Sequence, residues 1–547
     1  MKIYQALADA FNREQIGCCF ALLGDANMHW AGALAQTDTR LIYTRHEHAA
    51  VAAATAYARV SGNIGVATVT CGPGLTQIMT ILPIAVRARI PLVVFAGEAP
   101  LNKPWYNQGI DQKPFVEACG AEYRALHDPI TMVADVHRTF ADVKNSQCAI
   151  VIGVPFDLQQ QSFADQTKHP VSDELFVSHS PFYPDSQSIA QAAGLISKAD
   201  RPIVLAGLGA VTDSAKTACI ALAEKSGACL ATTLPAKGLF HDQSFCLGVA
   251  GGFATESAKD IFAESDLVVG IGTRLAAHTF DNGNLTPNAK VIHIDNDPQE
   301  FVQGRKASEF LITADATLGA DALRTSVKEQ TGWRTSKMQA RTKAALTLSD
   351  RYATPDGMLH PMAVVKKLAE VIPPDCHIVN TSGHSAYYTA QMNHHPQSHY
   401  TVIREFGAIG NGTSFAIGIA NAFPERPVVL LDGDGSALMH VQELETIVRH
   451  QLSILIVILN DGAYGSEVHK LRADGVTTAG SVFGRPAFSA IGGGFGLSGK
   501  TFTQLDELAA SMEEFLSTTA AAVWDIHISD QIASPQILKA HNAATHT

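Results

Sequence analysis

At 547 residues the chain exceeds what one hydrophobic core supports, and about three domains of roughly 150–200 residues are expected. Its 46% hydrophobic and 17% charged residues are the balance of a globular enzyme, and a net charge of −12 argues against a nucleic-acid or anionic-membrane partner. Nine cysteines without a CxxC pair or metal-ligand spacing read as reduced core thiols. No apolar run reaches the ~18 residues of a membrane span, and the amphipathic start MKIYQALADAFNRE is not a signal peptide. A cytoplasmic protein is expected.

Residues 1–165 alternate helices and strands. Helix 2–14 is followed by strand Cys18–Leu22, the turn Gly24-Asp25-Ala26-Asn27 and strand Arg40–Thr44. Arg45-His46-Glu47-His48 then opens a helix rich in small residues, and strands Gly65–Thr70, Pro91–Ala96 and Ala149–Val154 complete a parallel-sheet pattern. Asp157 to Pro184 is polar, broken by Pro170 and Pro181, and reads as a linker. A second α/β unit, 186–325, carries strands Pro202–Ala206, Cys229–Thr232, Leu267–Ile271 and Val291–Asp295. Its GLGAVT at 207–212 has Thr212 where a dinucleotide loop needs a third glycine, so FAD is not expected and the unit reads as structural. Arg274 reads as a surface or interdomain ion-pair residue. The charged, helical 326–353 reads as a second linker. The third unit, 354–547, includes a tail after Ile532 that reads as loosely ordered. His394-His395 lacks the third ligand that a metal site needs. No repeat shows at motif level, although the first and third units could share a topology.

The most informative stretch is Val428–Gly465. A strand ends in Asp432-Gly433-Asp434-Gly435-Ser436. Next comes a helix with Leu438, Val441, Leu444, Ile447 and Val448 on one face, then a strand Ile454–Leu459 ending in Asn460-Asp461-Gly462. Acids and amides at the carboxyl ends of both strands, beside a helix N-terminus, suit Mg²⁺ carrying a phosphate. An EF-hand is excluded by Ala437 where that loop needs glycine, and a Walker loop by the missing lysine.

GDGS, a helix, and an apolar strand ending in Asn-Asp resemble the diphosphate motif of thiamine-diphosphate enzymes, in the group of acetolactate synthase, pyruvate decarboxylase and benzoylformate decarboxylase. The resemblance implies three α/β domains, each a mainly parallel sheet flanked by helices: pyrimidine-binding, central and diphosphate-binding. It implies Mg²⁺ on Asp434, Asp461 and the Ala463 carbonyl, although the family usually has Asn where Asp461 stands. It implies that Glu47 protonates the cofactor's pyrimidine, and that Ile409, between Gly407 and Gly410, supports the bent cofactor. Gly383, His384 and Ser385 match a second diphosphate loop, joined by Gly433, Gly435, Ser436, Tyr464 and Gly465.

On the substrate side, CGPG resembles the family's SGPG turn and places Cys71 and Gly72 near the reacting carbon, while Gln112 matches a substrate-side glutamine. Asn27, His29, His384, Tyr464, Glu467 and His469 are candidates for substrate hydrogen bonding. The implied reaction is C–C cleavage or formation on a 2-oxo acid, ketone or acyloin, by a homodimer at minimum and a homotetramer by expectation. Decarboxylase, carboligase and acyloin lyase all remain open, and beyond them a flavin-dependent oxidase or a non-catalytic paralogue.

Overall fold

The structure is a computed structural model that describes residues 1–164, 167–176 and 180–538. The first sheet is built from β1 (Cys18–Ala21), β2 (Arg40–Tyr43), β3 (Gly65–Val69), β4 (Leu92–Glu98), β5 (Glu122–Ala125) and β6 (Ala149–Pro155). Its order is β2-β1-β3-β4-β6-β5, all parallel. GVATV, LVVFAGE and AIVIGVP are near-continuous apolar runs because helices cover both faces of a parallel sheet. Strand β5, EYRA, had no sequence signal: it is an edge strand with exposed and half-buried polar residues.

The central sheet comprises β7 (Pro202–Ala206), β8 (Cys229–Thr232), β9 (Cys246–Val249), β10 (Leu267–Ile271) and β11 (Lys290–Asp295). An antiparallel ribbon of β12 (Phe301–Val302) and β13 (Arg305–Lys306) precedes its last strand, β14 (Phe310–Thr313). The order β14-β11-β10-β7-β8-β9 is that of a doubly wound nucleotide-binding fold. The third sheet contains β15 (His377–Asn380), β16 (Tyr400–Val402), β17 (Val428–Gly433), β18 (Ile454–Asn460), β19 (Ser498–Phe502) and β20 (Ala522–His527). Its order, β16-β15-β17-β18-β20-β19, repeats that of the first sheet. Three parallel α/β sheets are thus the architecture, as expected.

The outer sheets meet through two helices of small residues. Glu47–Ser61, EHAAVAAATAYARVS, lies against Gly412–Ala422, GTSFAIGIANA, and one apolar cluster runs through both domains from Phe20 to Ile456. A Cβ at Gly418 would stand 2.1 Å from the Ala53 carbonyl oxygen, so only glycine allows this approach. Arg59 and Glu405 pair across the same junction at 2.9 Å.

Several expectations need correction. The helix after Gly435 is two pieces, Asp434–Met439 and Glu443–Arg449, broken at His440; Val448, expected on the buried face, is exposed. The charged segment 326–353 is not a free linker. Its helix Ser336–Leu346 buries Met338 and Ala345 in the central core and pairs Arg341 with Glu264 at 2.6 Å. Arg274 makes an interdomain hydrogen bond, not an ion pair, donating to the Arg87 carbonyl at 2.6 Å. The first linker is tied to the N-terminal helix, since Arg13 donates to the His169 carbonyl and Ser172 N–H to Glu14. The tail after Ile532 is anchored as far as it is described: Ser534 N–H donates to His384 Nε2 at 3.0 Å, and residues 539–547 lie outside the described residues. Among the described residues no helix is long and apolar enough to cross a membrane, and no three His, Cys, Asp or Glu side chains form a metal cluster. All nine cysteines are free.

Gly418→Ala gains about 1 kcal/mol of helix propensity but forces a backbone carbonyl aside. The expected net loss is roughly 1–3 kcal/mol, read as a lower first melting transition. Gly194→Ala, whose Cβ would meet nothing within 4 Å, is the control and should not lower it.

Candidate active site

Strands β17 and β18 are neighbours in register and end together, which brings Asp432-Gly433-Asp434 beside Asn460-Asp461. Asp432 is a brace. Its carboxylate accepts from the Thr381 hydroxyl at 2.7 Å, Gly433 N–H at 2.9 Å and the Ser436 hydroxyl at 3.0 Å. The Ser436 oxygen in turn accepts from Gly410 N–H at 2.9 Å, so that hydroxyl ties the glycine-rich loop to the acidic turn and is already engaged.

Asp434 Oδ2 accepts from the Gly462 and Ala463 N–H groups at 2.7 and 3.2 Å, and Asp461 Oδ1 accepts from Ala463 N–H at 3.2 Å. Burial pushes Asp434 up to about 6, and burial followed by the Asp434 charge raises Asp461 well above the ordinary carboxylate range. The Gly465 backbone fits between them and His384: a Cβ there would lie 2.5 Å from Asp461 Oδ2 and 2.8 Å from His384 Nδ1. Ser534 N–H donates to His384 Nε2 at 3.0 Å, which leaves the imidazole proton on Nδ1, facing this turn. Burial pushes His384 down to about 3, so the ring is neutral.

The remaining diphosphate-side candidates surround this core. A Cβ at Gly433 would be 3.1 Å from Ser385 Oγ, and one at Gly383 3.7 Å from Ile409. Tyr464 lies over Gly435 and is 39% exposed. The His469 ring lies 4.9 Å from that of His384 and is tilted by 60° to it, whereas Glu467 is exposed and pairs with Lys470. Gly407 is an exposed loop residue at φ +75°.

A second group forms beyond the carboxyl ends of β2, β3 and β4. Glu47 is the first residue of its helix; its side chain is 17% exposed and burial raises its pKa. The Cys71–Gly74 turn faces it, with a Cβ at Gly74 falling 3.5 Å from Glu47 Oε1. The Cys71 thiol is buried and contacts Gln108 Oε1 at 3.5 Å. Gln112 accepts from Gly72 N–H at 3.0 Å.

Two substrate candidates make contacts outside this group. Asn27 is fully buried, accepting from Gly24 N–H and donating to the Leu22 carbonyl and Thr68. His29 is exposed and rests on Tyr4 at 5.6 Å. Two braces had escaped sequence reading. Thr381 precedes the Gly383 loop, and Asn411, inside GAIGNG, holds His48 beside Glu47 at 2.6 Å. Their adjacency to motifs was the only signal.

Models of the thiamine pyrophosphate enzymes match the N-terminal TPP-binding domain at residues 1–115, the central domain at 189–323 and the C-terminal TPP-binding domain at 381–526. The chain belongs to the thiamine pyrophosphate enzymes. Its relatives include the acetolactate synthase large subunit of Parasynechococcus marenigrum, 27% identical over 96% of this chain and 87% of that protein. The acetolactate synthase isozyme 2 large subunit of Escherichia coli is 26% identical over 96% and 95%. Acetolactate synthase 1 of tobacco chloroplasts is 27% identical over 96% and 81%. As in other thiamine pyrophosphate enzymes, the first and third domains are therefore the cofactor-binding ones.

The acidic pair makes a pH prediction for the chain in a chelating buffer. A carboxyl whose pKa rises on folding contributes stability that is fully present below the unfolded value, 3.8, and is lost as pH passes the folded value, about 6 for Asp434. Asp461→Asn removes the like charge. It should therefore stabilise the metal-free protein at pH 7 by about 1–2 kcal/mol and leave it unchanged near pH 4, as read by melting curves.

Proposed function

We propose that the chain is a thiamine-diphosphate- and Mg²⁺-dependent carboligase of the acetolactate-synthase kind. It would release CO₂ from a small 2-oxo acid and join the remaining acyl unit to a second carbonyl compound. The observation that carries the cofactor reading is the adjacent pair of buried Asp434 and half-buried Asp461, raised in proton affinity and without an ion-pair partner among the described residues. Oxygen donors of this kind suit a hard divalent cation. Asp434, Asp461 and the Ala463 carbonyl would hold Mg²⁺, and the Gly383–Ser385 and Gly433–Ser436 loops would hold the diphosphate.

When bound, thiamine diphosphate supplies a nucleophilic carbon that adds to a carbonyl and takes up the electron pair left by CO₂. The chain's own part is to keep a proton on Glu47 for the pyrimidine ring, which its raised pKa favours, and to exclude water around Cys71 and Gly72. Ile409 would support the bent cofactor. Carboligation is preferred over plain decarboxylation or acyloin cleavage because the acetolactate synthases above align over nearly the whole chain.

A homodimer at minimum is part of the proposal, and a homotetramer extends it. Leu101, Trp105, Ile110 and Phe115 are exposed around the first half-site, and Met439, Val482 and Phe483 around the second, an apolar rim that a second copy would cover. Light scattering should give at least a dimer, and Trp105→Asp should weaken it. A cytoplasmic location accords with nine free thiols.

The test supplies thiamine diphosphate, Mg²⁺ and a panel of 2-oxo acids, with products identified by mass. Glu47→Gln should lower turnover by roughly 10²–10⁴-fold, and a chelator should abolish it. Full turnover in Glu47→Gln would refute the reading.

A further inference from the structure

We propose that Tyr123, Glu98 and His127 are positioning residues that lock Gln112, and through it the Cys71–Gly74 turn, against Glu47. The assignment of this turn to the substrate side rests on the function proposed above. Gln112 is 4% exposed and its amide is fully engaged as a donor. Its oxygen accepts from Gly72 N–H at 3.0 Å, and its nitrogen donates to the Gly97 carbonyl and to the Tyr123 hydroxyl, both at 3.1 Å. An amide nitrogen has two protons, so none is left for a substrate. The orientation is also forced, because Gly72 N–H can only donate and the Gly97 carbonyl can only accept. Gln112 is a brace for the turn instead of a ligand for the substrate.

The brace is anchored behind. Tyr123 receives one proton from Gln112 and gives its own to Glu98, whose other oxygen meets His127 Nε2 at 2.5 Å. Every member therefore has a defined direction: Gly72 to Gln112, Gln112 to Tyr123, Tyr123 to Glu98. The space for this cluster exists because residue 153 is glycine. A Cβ there would fall 2.0 Å from the Tyr123 oxygen and 2.4 Å from Glu98 Oε1.

At the other end, Gly72 sits at φ +59°, and a Cβ on it would fall 2.2 Å from the Gln108 carbonyl oxygen, so the turn is pressed into a left-handed conformation. Two residues later, Gly74 faces the Glu47 carboxylate. Removing the Tyr123 hydroxyl would free one Gln112 proton in a buried site and deprive Glu98 of a donor. The amide would keep its orientation but lose one of its three anchors, and its hold on Gly72 would loosen.

The experiment uses the full chain with thiamine diphosphate and Mg²⁺. Tyr123→Phe and Glu98→Ala should each raise KM for the 2-oxo acid about tenfold while thiamine diphosphate affinity stays within about twofold of wild type. Glu98→Gln, whose amide oxygen still accepts from Tyr123, should restore most of the loss. In parallel, amide exchange of the peptide spanning 70–77 should accelerate about tenfold in Tyr123→Phe. A wild-type KM in Glu98→Ala, or unchanged exchange in Tyr123→Phe, would overturn the assignment. If the wild-type protein turns over no 2-oxo acid, the functional reading fails, and the exchange measurement alone decides the brace.

Discussion

The contact on which the molecule depends is the Ala53 carbonyl seated against Gly418. It lets two alanine- and glycine-rich helices approach backbone to backbone, and that approach sets the angle between the first and third sheets. Both helices begin at functional turns. One starts with Glu47 and the other follows Asn411, so the same packing that joins the domains fixes Glu47 relative to the glycine-rich loop through His48 and Asn411. Glu443 adds a second tie, accepting Arg45 N–H at 3.1 Å while burial pushes its carboxyl up to about 7.

The site is held at an electrostatic disadvantage. Burial pushes Asp432 and Asp434 up to about 6, and burial followed by the Asp434 charge raises Asp461. Asp432 is compensated by hydroxyls and an N–H, and it organises the loop. Asp434 accepts from the Gly435, Gly462 and Ala463 N–H groups, whereas Asp461 has the Ala463 N–H at 3.2 Å. A fold selected for stability alone would not keep two such carboxylates adjacent. Their retention is intelligible if a cation completes the arrangement.

Much of the fold and the site was legible in the sequence because its signals are local. Unbroken apolar strands ending in Gly, Asp or Asn read directly as parallel strands, and GDGS with Asn-Asp read as an acidic turn. What escaped depended on distant partners. Edge strand β5 has no apolar run, yet it supplies Tyr123. The break at His440 follows from the bond of its Nδ1 to the Gly410 carbonyl at 2.7 Å, a contact between residues thirty apart that no periodicity announces. Asn27 and His29 follow β1, but side-chain direction, which spacing does not encode, commits Asn27 to its own turn and leaves His29 exposed against Tyr4. Gln112 was expected on the substrate side. Its orientation came only with Gly72 and Gly97, and its proposed role as a brace with Tyr123 and Glu98.

The strand order of the third sheet bears on how the protein is made. Strand β20, the last in the chain, is not at an edge but between β18 and β19. Until it is inserted, β18, which carries Asp461 at its end, presents an unpaired apolar flank. Ser534, which sets the His384 tautomer, follows later still. On the ribosome, where domains form from the N-terminus at about 5–20 residues per second, the first sheet can close long before the acidic turn has its final neighbours. The growing chain therefore holds a finished partner helix, Glu47–Ser61, ready as a template while the third domain waits for its closing residues.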